Sequence, residues 1–220
     1  MKAVATIATI IALATTSAAT AAEPQFARGS AAVEIFVESD PFSTWTELVD
    51  ELSGRGYEVN ALVQNTRNIK ALFHTEVPSR YVDCGEITVR SKHAVFGERR
   101  YNFLAANSVR YLVVDELAEE LVDVERRTSL NAIANIDLIP MGQGTRVRVD
   151  ADYALNFRIR EFGNNVETRK VDEILNFDSA APASNLEQVR QGATTKPVNV
   201  ECRATGALER AVVSVLGNAS

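Results

Sequence analysis

Apolar and polar positions alternate most regularly between Leu130 and Leu155, on either side of a turn-rich stretch, Pro140-Met141-Gly142-Gln143-Gly144-Thr145. This is the pattern of two antiparallel strands with one buried face. Taking Met141–Gly144 as the loop sets Leu138 opposite Val147, Ile136 opposite Val149, Ala134 opposite Ala151, Ala132 opposite Tyr153 and Leu130 opposite Leu155. The other face then places Asp137 opposite Arg148 and Glu125 opposite Arg160, charge pairs that support the register. A one-residue slip would bury those charges, so the register is strongly specified. Below Leu130 the match weakens, because Arg126 falls opposite Ile159, and a bulge or bend is expected there.

Shorter patterns flank this hairpin. Val33, Ile35 and Val37 alternate within residues 32–38 and predict a strand. Thr44 and Glu47 have capping-box spacing, and Trp45, Leu48, Val49 and Leu52 form a helical stripe that stops at Gly54-Arg55-Gly56. Tyr57, Val59, Ala61 and Val63 alternate, Asn65 to Asn68 supply a turn, and Ile69 to Thr75 resume the strand pattern. Residues 80–90 suggest a strand carrying Cys84, although neither of its faces is cleanly apolar. Residues 91–106 read as irregular and basic. Residues 108–121 fit a helix through Val113, Leu117 and Leu121 and equally a strand beginning at Tyr111, so both stand open. Phe162-Gly163-Asn164-Asn165 reads as the next turn, followed by a strand through Val171, Glu173, Leu175 and Phe177. Residues 179–199, rich in Ala, Ser, Thr and Gln with Pro182 and Pro197, read as a long flexible surface loop. Thr205 is placed to cap a closing helix with Leu208, Ala211, Val212, Val215 and Leu216 inward and Gly217 as its stop.

The start of the chain changes where such a fold would reside. Lys2, the uncharged run from Ala3 to Ala14 and the small residues up to Ala22 have the order of a secretory signal peptide. The organisation expected is therefore a leader at 1–22, a lead-in at 23–31 and a single α+β domain at 32–217. The mature chain would be periplasmic or secreted, with no transmembrane segment after the leader is removed. Cys84 and Cys202 are the only cysteines of the chain, and an even count in an exported protein favours a disulfide between them. The 220 residues are 46% hydrophobic, which suits a globular core, and a net charge of −6 makes the chain a poor partner for nucleic acid. The fold class that follows is an antiparallel sheet with one apolar face covered by an N-terminal and a C-terminal helix.

Three blocks carry a resemblance: Tyr81-Val82-Asp83-Cys84-Gly85, Thr128-Ser129-Leu130-Asn131 and the run from Cys202 to Glu209. They resemble blocks shared by uncharacterised exported proteins and lipoproteins of Gram-negative bacteria. The strand order is similar to the helix-grip domains of the outer-membrane assembly lipoprotein BamC. That resemblance implies a helix-grip-like fold and a place in envelope assembly, and it brings no catalytic residues. The lipid-acceptor cysteine of such lipoproteins is missing here.

Candidate chemistry is sparse. His74 and His93 lack metal-site spacing, and no Gly-x-Ser-x-Gly or His-Glu-x-x-His occurs, so no catalytic set, metal or cofactor is assigned. Asp150 and Asp152 share a strand face with Arg146 and Arg148, which reads as a solvated ion-pair ladder. Arg99, Arg100, Tyr101 and Phe103 form a candidate contact patch for anionic envelope components. The function expected is a non-enzymatic periplasmic binding or envelope-assembly accessory module, with an envelope protein or a lipid as partner. Two alternatives are a carrier of an apolar ligand between sheet and closing helix, and a hydrolase built on paired carboxylates.

Overall fold

A computed structural model describes residues 31–60, 67–93 and 97–218. The leader, the lead-in up to residue 30, and Ala61 and Val63 lie outside the described residues. The chain runs β1 (Val33–Val37), α1 (Pro41–Gly54), β2 (Glu58–Asn60), β3 (Asn68–Thr75), β4 (Val82–Asp83), β5 (Glu86–His93) and β6 (Gly97–Leu104). It continues through β7 (Val109–Asp115), β8 (Glu120–Met141), β9 (Gly144–Gly163), β10 (Val166–Asp178), β11 (Ala183–Gln191), β12 (Thr194–Ala204) and α2 (Ala207–Val213). The architecture is broadly α+β and mostly antiparallel sheet.

The β8–β9 hairpin is the spine. Its Cα register includes Leu138↔Val147, Ala132↔Tyr153, Asp137↔Arg148 and Glu125↔Arg160, as the alternation requires. Among the described residues, however, neither charge pair closes: Glu125 pairs with Arg127, Arg160 with Glu167 and Asp172, and Asp137 accepts from the Asn68 side-chain amide. The turn is tighter than the expected four-residue loop, since Gly142 and Gln143 alone join the strands and Gly142 takes φ 63. The register also runs unbroken past Leu130, with Arg126 opposite Ile159 and Val122 opposite Gly163. The expected bulge is absent there because Arg126 is buried in place, with partners described below.

Strands this long have two halves, each with its own neighbours. Beside the turn, β1 pairs with β9, and β3, carrying β2 on its far edge, pairs with β8. At the open end, β7 pairs with β8 and β10 with β9, the last through Asn164 and Asn165 at φ 48 and φ 64. The helices cover the inner face of the first half. Leu48 and Leu52 of α1, and Leu208 and Val212 of α2, are buried with Ile69, Ala134, Ile136, Val147 and Val149. The second half is covered by strands instead. β5 packs against β7 and β11, and β11 against β10, so the two helices are only part of the cover.

Several local expectations change for identifiable reasons. Asp40, not Thr44, caps α1: its Oδ1 accepts from the Phe42 and Ser43 amides at 2.9 and 3.1 Å, with Pro41 opening the helix. Thr44 is buried and donates its hydroxyl to the Asp40 carbonyl. Residues 80–90 are two strands. Gly85 at φ 72 turns the backbone, so Val82 and Cys84 face inward before it and Ile87, Val89 and Ser91 after it. That switch of parity is why neither face reads as apolar. Within the expected irregular stretch 91–106, residues 91–93 and Gly97–Leu104 are paired strand, while 94–96 lie outside the described residues. Residues 108–121 resolve as strand β7 and a turn, leaving Leu117 87% exposed.

The expected loop over residues 179–199 is the largest error. It is the hairpin of β11 and β12, with Pro197 in the ladder opposite Gln188. Its buried face carries Glu187 beside Val189, a charged position that apolar periodicity does not register. β12 then pairs with β4 at Arg203↔Asp83, beside the Cys84–Cys202 disulfide. Cys84 thus lies at the edge of this small sheet and not on a central strand. The bridge fastens the start of α2, whose cap is Gly206 at φ 76, while Thr205 donates its hydroxyl to the Tyr81 carbonyl.

The bridge spans 118 residues, a loop whose closure restricts the unfolded chain by about 4–5 kcal/mol. Thiol labelling of the denatured, unreduced protein is expected to find no free cysteine; two free thiols would refute the bridge. Replacing Cys202 with Ser should raise hydrogen exchange in α2 and β12 well before the β8–β9 hairpin responds.

Candidate functional site

The β5–β6 ribbon is a pair of strands in which β6 has no neighbour but β5 among the described residues. Its register sets Thr88 opposite Asn102, Arg90 opposite Arg100 and Lys92 opposite Glu98 on one face. Arg90, Lys92 and Arg100 are all exposed. The other face pairs Ile87 with Phe103, Val89 with Tyr101 and Ser91 with Arg99. Alternation therefore divides the contact patch expected at Arg99, Arg100, Tyr101 and Phe103. Tyr101 and Phe103 turn inward, with ring centroids 5.6 and 5.9 Å from Tyr111. Tyr111 is buried, which pushes its phenol well above the usual range. Arg100 instead joins Arg90 and Lys92, which lie outside the expected patch because their strand is not paired with Arg100 by sequence spacing alone. Arg99 stays exposed at the end of the aromatic face.

Like charges directly opposite one another destabilise a strand pair. Among the described residues, Arg90, Lys92, Arg99 and Arg100 form no ion pair, and Arg100 Nε reaches only the Asn102 Oδ1 at 3.3 Å. Four cations thus outnumber Glu98, the acid opposite Lys92, and give the ribbon a local positive excess on a chain whose net charge is −6. Such a surface attracts anions, and the field is weakened by salt.

Beneath the ribbon lies a second charged cluster, and this one is closed. Arg126 projects from the inner face of β8 at 1% exposure. Its Nε and Nη2 donate to the two carboxylate oxygens of Glu187 on β11 at 2.8 and 2.9 Å. Nη1 donates to the Asn107 carbonyl and Nη2 also to that of Ala105. The guanidinium lies 5.0 Å from the Phe157 ring centroid and 5.9 Å from that of Phe103. Nearby, buried Glu161 accepts from Arg169 at 2.5 Å and lies 3.6 Å from Arg190, which also pairs with Asp115. The amides of Ala118 and then Leu117, together with Arg190, hold the Asp115 carboxyl below its ordinary range. Three arginines meet three acids here and no group is left for chemistry, so the cluster ties β11 to the main sheet.

The open face of the sheet carries polar side chains around Asn131, Asn135, Asp150 and Asp152. Asp150 and Asp152 share the Asn135 amide, at 3.2 and 3.1 Å, in place of the expected arginine ladder. His74 on β3 places Nδ1 2.8 Å from Asn131 Oδ1 and Nε2 3.0 Å from Glu76 Oε1. Two acceptors suit the doubly protonated ring, and these bonds raise its pKa above the ordinary value. The His93 side chain lies outside the described residues. Among the described residues no three His, Cys, Asp or Glu side chains gather as a metal site, and no helix is long and apolar enough to cross a membrane. The inner side of α2 is filled by Leu208, Val212, Val215 and Leu216, and Glu209 joins them, its Oε1 accepting from the Tyr153 hydroxyl at 2.8 Å.

No protein-family model, curated protein or solved structure matches this chain.

The His74 contacts set a pH dependence. A raised folded pKa contributes stability that is complete below the unfolded value of 6.5 and is lost as pH rises through the folded pKa. Because the ring is exposed, the contribution is below about 1 kcal/mol. His74→Gln is expected to lower the melting temperature at about pH 5.5 and leave it unchanged at about pH 9. An equal effect at both values would rule out the charged ring as its source.

Proposed function

We propose that this chain is an exported, non-catalytic module that docks on the anionic lipid surface of the bacterial envelope through its β5–β6 ribbon. One observation carries the reading: Arg90 stands directly opposite Arg100, both exposed and neither in an ion pair among the described residues, although Glu98 opposite Lys92 shares their face. A strand pair chosen for stability alone would place an opposite charge or a threonine there. Lys92 on the same face and Arg99 at its border extend the cationic area. A membrane of anionic headgroups offers about 1 kcal/mol for each basic side chain brought to its surface.

The remaining features agree with an envelope role. The leader-like start and the blocks resembling exported proteins and lipoproteins support export, and the disulfide is compatible with an oxidising compartment. Buried Arg126, Glu161 and Glu187 are taken up in ion pairs that hold the scaffold together, which supports binding over catalysis as its purpose.

Sedimentation with vesicles provides the test. The protein is expected to bind vesicles containing phosphatidylglycerol, to ignore purely zwitterionic ones, and to be released by about 0.5 M salt. Arg90→Gln with Arg100→Gln removes two charges, about 2 kcal/mol, and should weaken binding about thirtyfold with the melting temperature unchanged or raised. Unchanged binding in that variant would overturn the proposal.

A further inference from the structure

The opposite chemistry occurs at the other turn-bearing end of the spine. Where the β7–β8 and β9–β10 turns come together, the outer face of the sheet holds a groove of about 800 Å³. Its floor includes Leu112, Leu121 and Phe162. Leu112 and Phe162 are the Cα partners of Asp123 from either side, so they share its face, and Leu121 is one step along that face of β8. Leu112 is 36% and Leu121 49% exposed, and Leu117 in the adjoining turn is 87% exposed. A lone exposed leucine is ordinary, whereas two leucines beside a phenylalanine in one groove are the mark of a contact surface.

The rim is acidic, and part of it is uncompensated. Asp123 is paired with Arg110, and Glu125 with Arg127. Glu119 and Glu120, by contrast, form no ion pair among the described residues. Glu120 is nonetheless held in place. Its Oε2 accepts from the Asn164 side-chain amide at 2.6 Å, and its carboxylate lies so close over Gly163 that a Cβ there would stand 2.6 Å from Oε1. A fixed carboxylate beside exposed leucines is preorganised for a cation that arrives with apolar neighbours.

We propose that this groove docks a cationic, amphipathic segment of a partner protein, its apolar side chains on Leu112, Leu121 and Phe162 and its Lys or Arg against Glu119 and Glu120. A second copy of this chain fits less well. The ribbon would supply the charge, but Thr88 and Asn102 flank the Arg90–Arg100 pair on its cationic face and bring nothing for the leucine floor. The inference does not depend on the membrane role of the ribbon, which is at a different site.

A fluorescein-labelled peptide of alternating Lys and Leu is the probe, followed by fluorescence anisotropy on the full disulfide-bonded protein. The peptide is expected to bind, and its counterpart with Ser for every Leu to bind at least about tenfold more weakly. Leu112→Ser with Leu121→Ser should weaken binding by a similar factor. Glu119→Gln with Glu120→Gln, a surface change that spares the fold, should do the same at low salt. Arg90→Gln with Arg100→Gln should leave the affinity unchanged. Equal binding of the Ser peptide, or indifference to the groove substitutions, would reduce the effect to diffuse electrostatics and overturn the proposal. So would concentration-dependent self-association abolished by the same substitutions, which would assign the groove to a second copy.

Discussion

A guanidinium in the middle of an apolar sheet face is costly unless every donor finds an acceptor, and the layering around Arg126 is organised by that requirement. Glu187 supplies two acceptors from β11 and the carbonyls of Ala105 and Asn107 two more from the connection after β6, while the Phe103 and Phe157 rings lie 5.9 and 5.0 Å from the guanidinium. One side chain thus specifies where three separate elements stand relative to the spine. Arg169 and Arg190 repeat the device with Glu161 and Asp115. The half of the sheet beside the turn is covered by two helices, mostly with leucine and valine, and its one buried charge on α2, Glu209, is held by the Tyr153 and Ser179 hydroxyls.

This difference between the halves explains how far the chain could be read from its residues. Around Leu138 and Val147 the cover is apolar, period-two alternation is clean, and the register follows to the residue. Around Arg126 the cover is partly ionic, and a charge at an inward position reads in the sequence as a bulge. The same blindness turned β11 into a loop, since Glu187 occupies its buried face and the partner that neutralises it lies 61 residues earlier. At Gly85 the obstacle is geometric: a single residue in the left-handed region exchanges the inward parity, and a pattern averaged across it has no apolar side. The Asp40-Pro41 cap was present in the residues, but the Thr44–Glu47 spacing outweighed it.

The candidate site shows the same division. Arg99 and Arg100 drew attention as adjacent cations, yet neighbours along a strand face opposite ways, so only one of them belongs to the cationic face. The partners that complete that face, Arg90 and Lys92, belong to another strand and emerge only once β5 and β6 are paired. A ribbon with an excess of cations at one site and a leucine groove with the fixed Glu120 carboxylate at another are the surfaces on which the two proposed contacts rest. The buried arginines give such a module its rigidity, keeping the ribbon and the turns of the spine in a set relation without contributing to either surface.

The dependence of the strand layer on Arg126 is measured most directly by a double-mutant cycle in urea denaturation. Arg126→Met alone leaves Glu187 buried without a partner and should destabilise the protein by about 3–5 kcal/mol, while adding Glu187→Leu should recover most of that loss. A single-mutant cost below about 1 kcal/mol, or a double mutant whose loss is the sum of the two singles, would contradict the organising role given to this pair.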